Sequence, residues 1–326
     1  MFYERQGAAE DVLVFGDLPQ PRPAAGEVLV RIHVSGINPS DIKNRTGFVA
    51  KMAFPRIVPH QDGAGVIEAV GEGVAPNRIG ERVWIFEAQT GRAGGTAAEY
   101  VTVPAANAVR LPDGTSFDIG ASLGVPALTA HRCLFADGDL RGRRVLVQGG
   151  AGVVGSAAIQ LAKWAGAWVA ATVRRPEQQE VARQAGADLV LDRNGADVAA
   201  EIKAQTKNEG VDRIVEVDFA ANMELDLACL ANGGVVSVYA ARDAAERVPV
   251  PMVPSMVGNC AVRFVYVYTM PSNAKKIAIS DLTDCLQAKS YNPKIGIVLP
   301  LPRTFEGHLA VEAGVIGKTL IRVVDE

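Results

Sequence analysis

Cysteine is scarce in this chain. Cys133, Cys229, Cys260 and Cys285 are spread over 326 residues with no C-x-x-C pair. That spacing argues against a disulfide framework or a thiolate zinc site and predicts a cytoplasmic chain with buried free thiols. Long hydrophobic runs are missing too. Every apolar stretch is broken by Gly, Pro or a charge before it reaches membrane-spanning length, so no membrane partner is expected. The opening MFYERQGAAEDVL lacks the basic-then-apolar pattern of a secretory leader. There is no excess of positive charge. A net charge of −3 leaves no electrostatic footprint for nucleic acid.

What remains is ordinary globular composition, 48% hydrophobic and 21% charged, in a chain long enough for two cores. The first third reads as β-rich. In EVLVRIHVSG, Val28, Val30, Ile32 and Val34 share one face, with Leu29, Arg31 and His33 on the other. Short apolar runs closed by glycine follow, which predicts a small barrel or folded sheet. From about Arg144 the rhythm changes. RVLVQ, AWVAATV, DLVLD, VDRIVEV and VVSVYA read as strands, separated by segments of helical spacing. In the first of these segments Val154, Ala157, Ala158, Leu161, Ala162 and Ala165 form one stripe. Strand–helix alternation of this kind predicts an α/β domain built on a parallel, doubly wound sheet. The tail returns to strand, helix, strand.

The stretch VQGGAGVVGS lies between a strand and a helix, with Gly149, Gly152 and Gly155 spaced by three. A tight turn, a backbone close to a pyrophosphate and a helix packed on its strand each require a missing side chain. The amides of Gly152, Val153, Val154 and Gly155 would then open the helix toward the anion, aided by its dipole. About twenty residues on, an Asp or Glu should end the second strand and accept from a ribose hydroxyl. This chain reads ATVRRPE there, with Arg174 and Arg175 in place of a carboxylate. Guanidinium groups match a 2′-phosphate, so the expected cofactor is NADPH. Arg193, after the next strand, would reach the same corner. Tyr239, at a strand's C-terminal end, would touch the nicotinamide ribose or simply pack.

GINPSDIKNRTG, PHQDGAGVIEAVGEGV, GERVW, GTAAEYVTVPA, GASLGVPALTAHRCL and VLVQGGAGVVGSAAIQLAKWAGA together resemble the medium-chain dehydrogenase/reductase superfamily. The N-P-x-D start and the glycine loop resemble its quinone oxidoreductase (zeta-crystallin-like) branch. The resemblance implies a GroES-like β-rich catalytic domain, 1–121 completed by 270–326, and a Rossmann domain over 122–269. In the zinc alcohol dehydrogenases of the superfamily a Cys, a His and a further Cys or acid hold the metal. Those places fall on Asn38, Gln61 and Val125, which are poor or impossible zinc ligands. The four-cysteine structural zinc lobe is absent, and His60 has no ligand partner at zinc spacing. No metal is therefore expected.

Without a Lewis acid an alkoxide is hard to stabilise, whereas a quinone or enone spreads the incoming charge over a conjugated carbonyl. The resemblance thus implies NADPH-dependent reduction of a quinone. An enoyl or alkenal reductase, or a non-enzymatic NADPH-binding redox sensor, remains an alternative. The resemblance places polar groups after the N-P motif beside the nicotinamide, and Asn38, Lys43 and Gln61 occupy that neighbourhood. Each also has a plain reading: Asn38 as a turn residue, Gln61 as a partner for buried backbone, Lys43 as a solvated helix residue. Asp41 reads as a cap. CAVRFVYVYT is expected to be the sheet's last strand, with Phe264, Tyr266 and Tyr268 on one face and Val265 and Val267 on the other. An open apolar edge and the family resemblance both imply a homodimer.

Overall fold

A computed structural model describes residues 1–48 and 50–324. Among the described residues the strands are, in chain order, β1 (Glu27–Ile37), β2 (Asp62–Val70), β3 (Arg82–Ile85), β4 (Tyr100–Pro104), β5 (Ala108–Arg110), β6 (Arg144–Val147), β7 (Trp168–Val173), β8 (Leu189–Asp192), β9 (Val211–Glu216), β10 (Leu230–Val238), β11 (Ala261–Phe264), β12 (Ile295–Pro300) and β13 (Lys318–Arg322). They divide between two compact units, Met1–Pro126 with the segment from Ile295 on, and Ala127–Lys294.

The first unit is a folded, mostly antiparallel sheet in the order β12-β13-β1-β2-β3-β5, with β4 pairing β1. Long strand β1 serves three partners: β4 takes Glu27–Arg31 and β13 takes Val34–Ile37 along one edge, while β2 runs along the other with register irregularities at Leu29/Val30 and at Ile32/Val34. Val28, Val30 and Ile32 point into a core shared with Ile67, Val83, Ile85, Val101 and Val103, as their alternation predicts. Removing this apolar surface from water is the main stabilising term of the unit.

The second unit is a parallel sheet in the order β11-β10-β9-β6-β7-β8. Chain order reverses between β6 and β9, which makes the carboxyl end of β6 the switch point where ligands bind in such sheets. Leu146, Ala170, Ile214 and Val236 from four adjacent strands form the centre of its core. The helix Val153–Trp164 is buried well beyond the expected stripe, Ile159 and Gln160 included. Gln160 Oε1 accepts from Asn292 N at 2.6 Å, so chain from the C-terminal third covers this helix.

Three expectations are corrected. The crossings between units fall at 126/127 and 294/295, not at 121/122 and 269/270. The helix Ser272–Gln287 belongs with the second unit, held there by His131 Nε2–Asp281 Oδ2 at 2.8 Å and by the Asn292–Gln160 bond. The last strand ends at Phe264; Val265 N still donates to Val238 O, and a 3-10 turn then takes Val267–Thr269. The alternation nevertheless survives, with Val265 and Val267 buried and Phe264 and Tyr266 exposed. Among the four free thiols, Cys260 is only partly buried.

Candidate active site: a glycine loop and a buried polar cluster

β6 ends at Val147, and Gln148 leads into the loop. Gly149 adopts φ +70, a left-handed conformation that side chains disfavour. Gly150 N donates to Thr172 O at 2.9 Å, which ties the turn to β7. A Cβ on Gly155 would lie 2.3 Å from Gly149 O, so this glycine is what lets the helix Val153–Trp164 start directly against the loop. The first helical turn has no intrahelical acceptors for its N–H groups. With the dipole, these donors fit the pyrophosphate of a dinucleotide.

Beyond β7, Arg174 and Arg175 stand half exposed. Their backbone amides both donate to Gln178 Oε1, at 3.0 and 3.1 Å, so the start of the helix Pro176–Gln184 fixes where they emerge. Arg193 N donates to Val173 O at 2.8 Å, which brings all three arginines to one corner. The Arg193 side chain is already committed in part: Nε donates to Asn222 Oδ1 at 2.8 Å and Nη2 to Ala221 O at 3.0 Å. Asp218 lies 3.6 Å from Arg174 Nη2 and also binds Arg242. Sequence reading missed Arg242 because only folding brings it to Asp218, the residue it shares with Arg174. Tyr239 is partly buried at the end of β10, its N donating to Glu216 O at 3.1 Å, and burial keeps its hydroxyl protonated.

In the first unit Asn38 precedes the helix Pro39–Thr46, and its N–H donates to Asp41 Oδ2 at 2.7 Å. Its amide is oriented by two charged neighbours. Nδ2 donates to Asp62 Oδ2 at 2.7 Å, and Oδ1 accepts from Lys318 Nζ at 2.7 Å. Lys318 also reaches Asp62 at 3.1 Å, and Val125 N donates to both Asp62 oxygens. Gln61 Oε1 accepts from Gln89 N and Thr90 Oγ1, each at 3.1 Å. Lys43 lies farther out, its Nζ 4.6 Å from the centre of the Phe48 ring. Burial pushes the Asp41 carboxyl up to about 7, with Asp62 adding to the effect and backbone bonds from Asn38 and Gln61 opposing it.

His60 has φ +82, unusual for a side-chain-bearing residue, and a network holds it there. Arg45 Nε can only donate, so His308 Nδ1 accepts at 3.3 Å and His308 Nε2 carries the hydrogen. His308 then donates to His60 Nε2 at 2.9 Å, and His60 Nδ1 donates to Ser35 Oγ at 2.8 Å. Ser35 continues to Thr96, and Thr96 to the Asp62 carbonyl. Burial holds both imidazoles neutral, pushing His308 down to about 3.

The donor set does not fit zinc. The Asn38 amide serves Lys318 and Asp62, the Gln61 carbonyl serves Gln89 and Thr90, and the Val125 side chain is a hydrocarbon with no ligand atom. Among the described residues no group of three or more His, Cys, Asp or Glu could hold a metal ion.

A GroES-like sheet and a doubly wound unit carrying a dinucleotide loop define a class of two-unit oxidoreductase folds. Residues 24–113 match the alcohol dehydrogenase GroES-like domain family, and residues 153–284 match the family described as zinc-binding dehydrogenase. Quinone oxidoreductase of Mus musculus is 31% identical over 96% of this chain and 93% of its own length. The human protein of that name is 29% identical over 97% and 94%. Among solved structures, the quinone oxidoreductase of Thermus thermophilus, determined also with NADPH, superposes with TM-score 0.82 at 29% identity over 99% of both chains. A structure described as an NAD-dependent alcohol dehydrogenase gives 0.84 at 28% identity, over 99% of this chain and 100% of that one. The chain belongs to the medium-chain dehydrogenase/reductase superfamily, in its quinone oxidoreductase branch.

Proposed function

We propose that this protein is an NADPH-dependent reductase that passes hydride to a quinone and uses no zinc. The observation that carries the reading is the arginine corner: a pyrophosphate loop beside Arg174, Arg175 and Arg193, with no carboxylate at the end of β7. Gly149, Gly152, Val153, Val154 and Gly155 seat the pyrophosphate. Arg174 and Arg175 hold the 2′-phosphate, with Arg193 behind them, and Tyr239 packs at the ribose side. Bound NADPH supplies the hydride. Asn38, Lys43 and Gln61 are the polar groups assigned to the nicotinamide and substrate. Asn38 uses one Nδ2 hydrogen on Asp62 and keeps the other to offer.

A quinone needs little more. Its conjugated carbonyls spread the incoming charge, so hydrogen-bond donors suffice and water supplies the proton that completes the hydroquinone. The relatives' names support this substrate class over an enone. The test is turnover with NADPH and with NADH against panels of quinones and enones. Faster consumption of NADPH with quinones supports the reading. Turnover of enones alone moves the assignment to alkenal reduction, and tight NADPH binding without turnover moves it to a redox sensor.

The same reading includes a homodimer. Edge strand β11 exposes Phe264, and the adjoining helix Met252–Val257 exposes Met252, Val253, Met256 and Val257. A contiguous apolar edge of this kind invites pairing with a second copy. The free, largely buried thiols support a cytoplasmic setting.

A further inference from the structure

Beneath the glycine loop runs a chain of buried polar side chains that seating a dinucleotide does not use. Gly149 N donates to Thr172 Oγ1 at 3.2 Å, the Thr172 hydroxyl donates to Gln148 Oε1 at 2.6 Å, and Gln148 Nε2 donates to Asp226 Oδ1 at 2.8 Å. From the other end, Arg193 Nε donates to Asn222 Oδ1 at 2.8 Å, and the Asn222 amide donates to both Glu216 oxygens, at 3.0 and 3.1 Å. The two ends converge on the carboxyl groups of Glu216 and Asp226: Asn222, which holds Glu216, and Asp226 stand one turn apart on the helix Phe219–Cys229, and the two carboxyls act on each other electrostatically. Both residues are fully buried, and Asp226 Oδ2 has no N–H or O–H donor among the described residues.

Two ionised carboxylates close together inside a protein repel strongly and lack solvent to screen them. One proton between them removes the repulsion and gives Asp226 Oδ2 its partner. The donors decide which residue carries it. Glu216 accepts from the Asp218 amide and twice from Asn222, the surroundings of a carboxylate. Asp226 accepts only from Gln148 and keeps an oxygen free to bear hydrogen.

We propose that Asp226 is a neutral carboxylic acid at physiological pH that donates to ionised Glu216, and that this pair positions the phosphate loop. It fixes Gln148, which fixes the Thr172 hydroxyl, which anchors Gly149. The same pair holds Asn222 and, through it, Arg193. Both ends of the NADPH site thus depend on one buried proton. The inference rests on the reading of the loop as a dinucleotide site. The other charged or titratable groups facing the pair are Asp218 after β9, Arg193 after β8, Cys229 on the helix Phe219–Cys229 and Tyr239 after β10. Burial and mutual repulsion push the Asp226 carboxyl well up, which favours the shared proton, and only rising pH removes it. Ionisation would drive the carboxylates apart and loosen both ends.

Asp226→Asn keeps an acceptor for Gln148 and a donor for Glu216 without a titratable proton. Glu216→Gln instead turns an N–H toward donors that need an acceptor. The experiment is calorimetric titration of the full chain with NADPH between about pH 6 and pH 9.5, spanning the range in which a raised carboxyl could titrate. Wild type should weaken toward the alkaline end. D226N should lose the alkaline weakening and stay level across the range, while E216Q should bind about tenfold or more weakly throughout. An infrared difference spectrum, wild type minus D226N at neutral pH, should show a protonated-carboxyl band. The proposal is overturned if D226N is as impaired as E216Q, if D226N keeps the alkaline weakening, or if the infrared band is missing. A wild type that binds no dinucleotide at any pH removes the site reading and the positioning role with it, and the infrared band still decides the shared proton.

Discussion

Lys318 sets its ammonium 2.7 Å from the amide oxygen of Asn38, and that contact decides which way the amide points. An ammonium only donates and a carboxylate only accepts. With Lys318 on one side and Asp62 on the other, the Asn38 oxygen and nitrogen cannot exchange places. Lys318 and Asp62 are both almost fully buried, so neither can be removed alone without leaving a charge in the interior. Lys318→Met should destabilise the protein by about 3–5 kcal/mol, the usual cost of breaking a buried pair from one side. The double variant K318M/D62N should recover part of that loss. Urea unfolding of the three proteins measures it. Equal stabilities would show that the pair contributes nothing.

The His308–His60 contact predicts an acid sensitivity with a definite sign. His308 is held at about 3 in the folded protein, below its ordinary value of 6.5. The unfolded chain therefore binds the extra proton first. Stability from this group is fully present above the ordinary value and is lost as pH falls toward the folded one. Asp41, raised to about 7, works in the opposite direction over part of the same range. The variant comparison separates them. His308→Gln keeps an acceptor for Arg45 and a donor for His60, so its melting temperature should fall less than that of wild type below pH 6.5. Parallel acid profiles would remove the argument.

Exposed Phe264 and Met256 predict that the apolar edge is covered by a second copy. Wild type should sediment at twice the 34.4 kDa chain mass, and F264D/M256D should sediment at the chain mass itself. A monomeric wild type at micromolar concentration contradicts the pairing.

Replacement of the zinc ligands by Asn38, Gln61 and Val125 predicts purified protein without stoichiometric zinc. Elemental analysis after dialysis against chelator decides this. One retained zinc per chain would require ligands other than these.

The glycine loop and the parallel sheet were legible because both have local causes: residues spaced by three at a strand–helix junction, and alternating periodicities. The place of Arg174 and Arg175 directly after β7 was legible for the same reason, since the residues of ATVRRPE adjoin. Lys318 was not, because only folding brings it from the far end of the chain to Asn38. The Glu216–Asp226 pair and the His60–His308 contact were hidden likewise: a single Asp on a helix reads as solvated until its burial is known. The end of β11 at Phe264 and the crossing at 294/295 depend on which neighbours a segment packs against, and periodicity does not carry that information.

The most direct test is a fluorescence titration of NADPH and NADH on wild type and on R174A/R175A. Wild type should prefer NADPH. The double variant should lose about ten- to several-hundred-fold in NADPH affinity, the worth of charge-assisted bonds to a phosphate, with the lower end favoured by the exposure of both arginines. NADH should hardly change, and added salt should erode the wild-type preference. A wild type that prefers NADH, or a double variant that loses both nucleotides equally, would contradict the assignment of this corner to the 2′-phosphate.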